Sequence, residues 1–248
     1  MPLIRVIDFE TTGVEPPKAA ICQVGKCDVH VEDAKCIETR EPGYVTRIAF
    51  PYSMFVNPGH PIPPEARGVH HIRDRDIAEA PPVNAGVKML METDGRPDAF
   101  VAHNAKFERQ FFEGGGIPWI DTYKVAFRLW PEAPNHQNQT LRYVLDIDSR
   151  HDFQTELALP AHRAGPDAYV TAHILAAALE HTTVEQMIEW SNQPSLLPGS
   201  IHFGKHKGTA WSKVAPSYLD WICKQDNMDA DVKFTARHWL NRRRSDDR

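Results

Sequence analysis

Asp8 and Glu10 stand two residues apart in the opening stretch MPLIRVIDFETTG. Residues 4–9 alternate apolar and polar and run into turn chemistry at Thr11-Thr12-Gly13, which predicts a strand. On a strand, residues i and i+2 project from the same face, so the two carboxylates would lie a few ångströms apart. Carboxylates held that close repel one another unless a cation sits between them. A bare pair of this kind is ordinarily two solvated acids at a strand end. Here the strand is apolar and leads directly into a tight turn, which points instead to a metal site. Two later segments also carry titratable side chains. Residues 101–111, VAHNAKFERQF, read as a strand end followed by a helix bearing Glu108. Residues 162–175, HRAGPDAYVTAHIL, place His162 five residues before Asp167, with Pro166 where a helix would start. His162 alone would read as a surface-loop histidine.

Positioning these groups requires a framework, and the rest of the pattern supplies one. Residues 20–29 and 49–56 read as further strands joined by a polar connection over 32–43, and the prolines at 58, 61, 63 and 64 predict an irregular loop. Helical spacing returns at 83–91, where Val83, Val87 and Leu90 share a face. Residues 99–102 predict a short buried strand, followed by Asn104 as an N-cap and a helix carrying Phe107 and Phe111, stopped by Gly114–Gly116. A strand–helix pair covers 119–130, and short helices are expected at 139–145 and 184–190. In the helix from Pro166, Ala168, Ala172 and Ala176 form one apolar stripe, and Thr171, Leu175 and Leu179 form another. Early strands followed by alternating helices and strands predict an α/β fold with helices on both faces of the sheet. Residues 191–200, SNQPSLLPGS, read as a linker, and beyond them two helices near 216–224 and 230–240 predict a small, mainly helical unit. The division expected is 1–190, a linker at 191–200, and 201–248.

The chain has 248 residues and a net charge of −5, which at first argues against a nucleic-acid partner. The distribution argues otherwise. Residues 201–248 hold 10 Lys and Arg against 6 Asp and Glu, leaving 18 against 27 in residues 1–200. An acidic body with a basic tail suits an enzyme that gathers carboxylates around metal ions and attracts phosphate elsewhere on its surface. No apolar run is long enough to span a bilayer, and the N-terminus lacks the pattern of a secretory signal. Cys22, Cys27, Cys36 and Cys223 form no CxxC pair, so reduced thiols in the cytoplasm are expected, without a structural zinc. His70-His71 looks like a ligand pair but has no third partner.

The segment DFETTG (8–13) resembles the first motif of the DEDD exonuclease superfamily. Residues 101–111 and 162–175 resemble its second and third motifs, in order, over about 170 residues, and the spacing from His162 to Asp167 is similar to the DEDDh (DnaQ-like) branch. This resemblance implies an RNase H-like mixed sheet. It also implies that Asp8, Glu10, Glu108 and Asp167 bind two divalent ions, Mg²⁺ with Mn²⁺ as a substitute, and that His162 is the general base. The chemistry is coherent: two ions about 3.5–4 Å apart activate a water and stabilise the leaving 3′-oxygen, while a neutral imidazole takes the water's proton. One residue departs from the pattern, since the superfamily carries Asp where this chain has Glu108. An additional methylene moves the carboxylate by roughly 1.5 Å, enough to cost on the order of a hundredfold in rate if nothing compensates.

Residues 121–131, 135–145 and 203–222 resemble the exodeoxyribonuclease X group, whose members degrade single- or double-stranded DNA from 3′ ends. A ribonuclease of the same superfamily would use the same five residues on RNA and differ only in contacts to the 2′-hydroxyl. A non-catalytic DNA-end-binding protein, with Glu108 marking lost catalysis, is the rival from another class. Substrate contacts are expected near the motifs and in the C-terminal unit. Phe9 either wedges against the terminal base or belongs to the core, and a backbone group near Thr11 would hold the 3′-hydroxyl. Asn104, with His103 beside it, either caps a helix or touches the substrate backbone. Lys205 and Lys207 on the GKHKG turn either grip phosphates or lie on a solvated hairpin. Trp211, Tyr218, Trp221, Phe234 and Trp239 read as the small unit's core, and Arg242–Arg244 as a frayed basic tail. Oligomeric state is left open.

Overall fold

The computed structural model describes residues 2–35, 42–92 and 94–246; Cys36 lies outside them. Six strands form one mixed sheet: β1 (Leu3–Thr11), β2 (Ile21–Lys35), β3 (Pro42–Ile48), β4 (Tyr52–Phe55), β5 (Ala99–Ala102) and β6 (Trp119–Asp121). The order is β3-β2-β1-β5-β6, with β4 also pairing β2. β1 runs antiparallel to β2 and parallel to β5, and β5 is parallel to β6. The carboxyl ends of β1, β5 and β6 therefore open on the same edge, the usual place for a site in an open α/β sheet. The α/β fold agrees with the pattern read from the sequence, and the mixed sheet with the one the resemblance implies.

The helices are α1 (Pro64–His70), α2 (Asp74–Ile77), α3 (Val83–Glu92), α4 (Glu108–Phe111), α5 (Thr122–Leu129), α6 (Asn138–Val144), α7 (Ala164–Leu179), α8 (Val184–Asn192), α9 (Pro216–Lys224) and α10 (Ala230–Asp246). Alternation along β1 separates two core layers. Ile4 and Val6 pack with Ala168, Ala172 and Leu175 of α7 on one face. Ile7 and Phe9 pack with Leu90 of α3, Phe100 and Trp119 on the other. α7 is apolar on nearly every side because it lies flat on the sheet beneath α5 and α6, with fourteen of its sixteen residues buried. Its approach depends on Gly25: a Cβ there would meet the Ala164 carbonyl carbon at 2.1 Å. Any side chain at that position would push away the start of α7, and Asp167 with it.

Three expectations are corrected here. Of the polar connection expected at 32–43, residues 32–35 and 42–43 are β-ladder, with Glu32 opposite Val45 and Lys35 opposite Pro42, because main-chain hydrogen bonds form whatever the side chains' polarity; residues 36–41 lie outside the described residues. The basic tail is helical through Arg242–Arg244, where the Arg242 guanidinium lies 5.3 Å from the Trp239 ring centre. In the C-terminal cluster, Trp211, Tyr218 and Leu219 are buried, whereas Trp221 and Phe234 are 46% and 42% exposed. Helix α9 has room for only one buried stripe, and Trp221 instead stacks on Tyr218 with centroids 5.1 Å apart.

Residues 191–200 are tied to both sides. Ser195 is buried, its N–H donates to Asp231 Oδ1 (2.7 Å), and its Oγ accepts from Arg128 (3.1 Å). Lys124 faces Asp231 at 3.7 Å, and Lys106 pairs with Asp229. No helix among the described residues is long and apolar enough to cross a membrane.

Candidate active site

Asp8 and Glu10 point from the α7 face of β1, and α7 presents Asp167 from its first turn. One oxygen of each of these three carboxylates lies within 4.8 Å of the others, close enough to share a metal ion. Each is pushed to a higher pKa. Burial is the main cause for Asp8, followed by repulsion from Asp167, Glu10 and Glu108. Burial and Asp167 raise Glu10 to about 8, against a counter-pull from Arg163. Asp167 is also raised, by burial, although hydrogen bonds from Gln139 and from the His162 backbone work against the shift. A cluster whose members suppress one another's charge lacks compensating cation, and a divalent ion would supply it.

Glu108 sits apart from that triad. It is buried, and its Oε2 has no hydrogen-bond partner. Burial raises its pKa, and repulsion from Asp121 and Glu10 adds to the effect. An orphaned carboxylate oxygen, enclosed and facing like charges, costs folding energy that a bound cation would recover. The four acids thus fit a divalent metal site by chemistry, three of them by distance as well.

His162 is exposed and adopts φ +58°, a left-handed conformation that costs a non-glycine residue about 1 kcal/mol. Its N–H donates to Asp167 Oδ2 at 2.8 Å, which holds that backbone in place and leaves the imidazole facing a cleft of about 630 Å³. Asp8, His103, Asn104, Tyr123, Asn138 and Asp167 also line the cleft. Buried Gln23 secures the same loop from below, its Oε1 accepting from Arg163 Nε (3.1 Å) and the Ala164 N–H (3.2 Å).

The remaining sequence candidates divide. Phe9 is buried in the α3-side cluster, so the wedge reading is withdrawn: strand alternation turns it away from the two acids beside it. Asn104 is not a helix cap. It sits at φ +73° in a tight turn, with Phe107 at the N-cap of α4 and the Asn104 N–H donating to Asp121 Oδ1 (3.1 Å). Both ring nitrogens of His103 are engaged, with Thr122 Oγ1 (2.9 Å) and the His136 carbonyl (2.7 Å), and burial lowers its pKa to about 4. His103 therefore offers the cleft a neutral ring and no free nitrogen. Thr11 donates its hydroxyl to Gly13 O (2.6 Å), beside a β-bulge at Glu10/Thr11. Lys205 and Lys207 are exposed on a 3-10 turn at Gly204–His206 and do not line the cleft. His70 is buried and hydrogen-bonded to the Thr11 carbonyl at 3.3 Å, a structural role. Sequence reasoning missed Gln139, which donates to Asp167 Oδ1 at 3.0 Å, and Tyr123 in the cleft wall.

An open-edge carboxylate triad, a cleft histidine and an RNase H-like sheet together define a metal-dependent nuclease. Residues 6–175 match the exonuclease family model, and the chain belongs to that family. Exodeoxyribonuclease 10 of Escherichia coli strain K12 is 31% identical over 244 residues, spanning 96% of this chain and 99% of that protein. The PolC-type DNA polymerase III of Bacillus cereus is 26% identical over 231 residues, which is 89% of this chain and 14% of that one. A solved structure of exonuclease X in complex with 5′ overhanging duplex DNA matches with a TM-score of 0.59 at 28% identity, over 76% of this chain and 99% of that chain.

Proposed function

We propose that this protein is a 3′→5′ exonuclease that hydrolyses phosphodiester bonds at DNA 3′ ends and releases nucleoside 5′-monophosphates. The observation that carries the reading is the convergence of Asp8, Glu10 and Asp167 to within ligand distance of one another beside a cleft that His162 enters. Asp8, Glu10, Glu108 and Asp167 would hold two Mg²⁺ ions, with Mn²⁺ as a substitute; these would lower the pKa of the attacking water and offset charge on the leaving oxygen. His162 would take a proton from the attacking water as its oxygen bonds to phosphorus and the bond to the 3′-oxygen breaks, and the leaving oxygen would take up a proton from solvent to become a 3′-hydroxyl. The left-handed backbone at His162 serves that task by holding the ring in the cleft while the peptide N–H orients Asp167.

The DNA preference is supported by likeness to relatives named for DNA. We assign residues 1–190 to the exonuclease unit and 201–248 to an appended unit, where exposed Lys205 and Lys207 are suited to phosphate contacts. The free thiols of Cys22, Cys27 and Cys223 fit a reducing compartment, the cytoplasm.

The test is digestion of 3′-labelled single-stranded DNA, duplex DNA and RNA side by side in Mg²⁺, Mn²⁺ or EDTA. Labelled mononucleotide from both DNAs with either metal, and none in EDTA, is expected. His162→Ala should slow release by roughly 10²–10⁴. Faster release from RNA would make the chain a ribonuclease. DNA binding without cleavage in either metal would make it an end-binding protein.

A further inference from the structure

Asp167 has both carboxylate oxygens tethered. Oδ2 accepts the His162 N–H at 2.8 Å, a contact within its own loop. Oδ1 accepts from the side-chain amide of Gln139 at 3.0 Å, across 28 residues of sequence, from the first turn of α6. Gln139 is itself held: its Oε1 accepts from Arg142 Nη1 at 3.4 Å. Arg142, 2% exposed, is locked in turn by a two-pronged ion pair with Asp148, Nε to Oδ2 at 2.8 Å and Nη2 to Oδ1 at 2.5 Å. The Arg142 guanidinium also lies 5.0 Å from the Phe153 ring centre. The Gln139 amide fits in only one orientation, since its NH₂ must face a carboxylate and its carbonyl must face a guanidinium. A buried cation thus polarises the amide toward Asp167 without touching it.

We propose that Gln139 is a positioning residue: anchored by the Arg142–Asp148 pair, it fixes the rotamer of Asp167 so that the carboxylate's remaining lone pairs face Asp8 and Glu10. The inference rests on the reading of Asp167 as a metal ligand. A carboxylate free to rotate about χ2 would spend part of its time with its lone pairs turned from the site, and partners that orient a ligand are commonly worth about 10–100-fold in metal affinity or activity. The neighbouring Asn138 makes the contrast. Its amide goes to Thr171 Oγ1 (2.6 Å) and to the Asp167 backbone carbonyl (3.3 Å), so it ties α6 to α7 without reaching the carboxylate.

The experiment measures Mn²⁺ binding to the substrate-free full chain by electron paramagnetic resonance of the free ion, for wild type, Gln139→Met and Asp167→Asn. Thermal melts would verify folding, and kcat and KM would be determined on single-stranded DNA. Methionine keeps the volume and removes the donor. Gln139→Met should bind Mn²⁺ about tenfold more weakly and lose kcat by a similar factor, with KM for DNA within about twofold. A packing defect alone would lower the melting temperature and leave Mn²⁺ affinity intact. Wild-type Mn²⁺ affinity in Gln139→Met, with affinity lost in Asp167→Asn, overturns the proposal and leaves the metal-ligand reading standing. Wild-type affinity in Asp167→Asn removes both. If Gln139→Met fails to fold, Gln139→Leu takes its place in the same titration.

Discussion

Strand β1 carries two groups of buried charge, on opposite faces. Arg5, fully buried, donates to both oxygens of Asp28 (2.7 and 2.8 Å) and to the Leu90 carbonyl (2.5 Å), and Lys26 joins Asp28 to Asp94. Three and five residues further on, Asp8 and Glu10 meet Asp167, with Glu108 nearby, and Arg163 offers Glu10 only a partial counter-charge. Burial is similar in kind; compensation differs. The first group satisfies itself with side chains and carbonyls and behaves as structure. The second leaves acids repelling acids and one carboxylate oxygen unpartnered, a state that a cation from outside would relieve. Position on a shared strand therefore says little about role, and the balance of charge says a great deal.

The largest effect should come from unbalancing the satisfied group. Arg5→Met leaves Asp28 buried with a weaker partner and should cost about 3–5 kcal/mol, lowering the melting temperature by roughly 10 °C for a chain of this size. The opposite substitution in the other group should have the opposite sign. Asp8→Asn removes one of the mutually repelling charges, so in EDTA it should melt a few degrees above wild type while exonuclease activity falls by more than about a hundredfold. Calorimetry of both variants in EDTA checks the pair of signs. If Asp8→Asn were destabilised like Arg5→Met, the acids would have to be internally compensated and the contrast would collapse.

A second, smaller effect follows from pH. Glu10 titrates at about 8 in the folded protein against an ordinary 4.5. A carboxyl raised on folding contributes stability that is complete below its unfolded value and is lost as pH rises through the folded one. In EDTA, the melting temperature should therefore decline between about pH 4.5 and 8. Glu10→Gln should flatten that decline, and saturating Mg²⁺ should cancel it by supplying the missing positive charge. A wild-type melting temperature that rises over this range in EDTA would contradict the assignment.

Much of this contrast was legible in the sequence because it rests on local pattern. The Asp8/Glu10 spacing puts both acids on one face wherever β1 is a strand, and Asp167 falls in a first helical turn in either placement of the helix start, at Pro166 or at Ala164. What escaped depends on docking between distant segments. The Gln139 contact exists only once α6 lies across α7, and nothing around Gln139 marks it as a donor to an acid 28 residues away. Asn104 looked like an N-cap because Asn favours that position, but Asn also tolerates the left-handed conformation, and the tight turn into α4 used that property instead. Phe9 was ambiguous for a plainer reason. Its neighbours fix which way it points, and only the packed structure shows that α3 fills that side.

The smallest and most discriminating test concerns Glu108, the acid that stands outside the ligand-distance triad. Its additional methylene sets the carboxyl about 1.5 Å further along the side chain than aspartate would. In the fold it is buried beside Asp121, whose Oδ1 accepts the N–H groups of Asn104 and Tyr123 and caps α5. Asp121 repels Glu108, and the unpartnered Oε2 is available to an ion. Glu108→Gln keeps the shape and removes the charge, so it should lower Mg²⁺-dependent activity by about tenfold and raise the melting temperature in EDTA. Glu108→Asp restores the residue type of the superfamily pattern with one fewer rotor to immobilise, and should keep activity or raise it severalfold. Mn²⁺ accepts looser coordination than Mg²⁺ and should stimulate wild type more than Glu108→Asp. The ratio of Mn²⁺ to Mg²⁺ rates across the three proteins is the measurement. Equal rates for wild type and Glu108→Gln in both metals would take Glu108 off the ligand set and leave its buried charge as a cost with no return in catalysis.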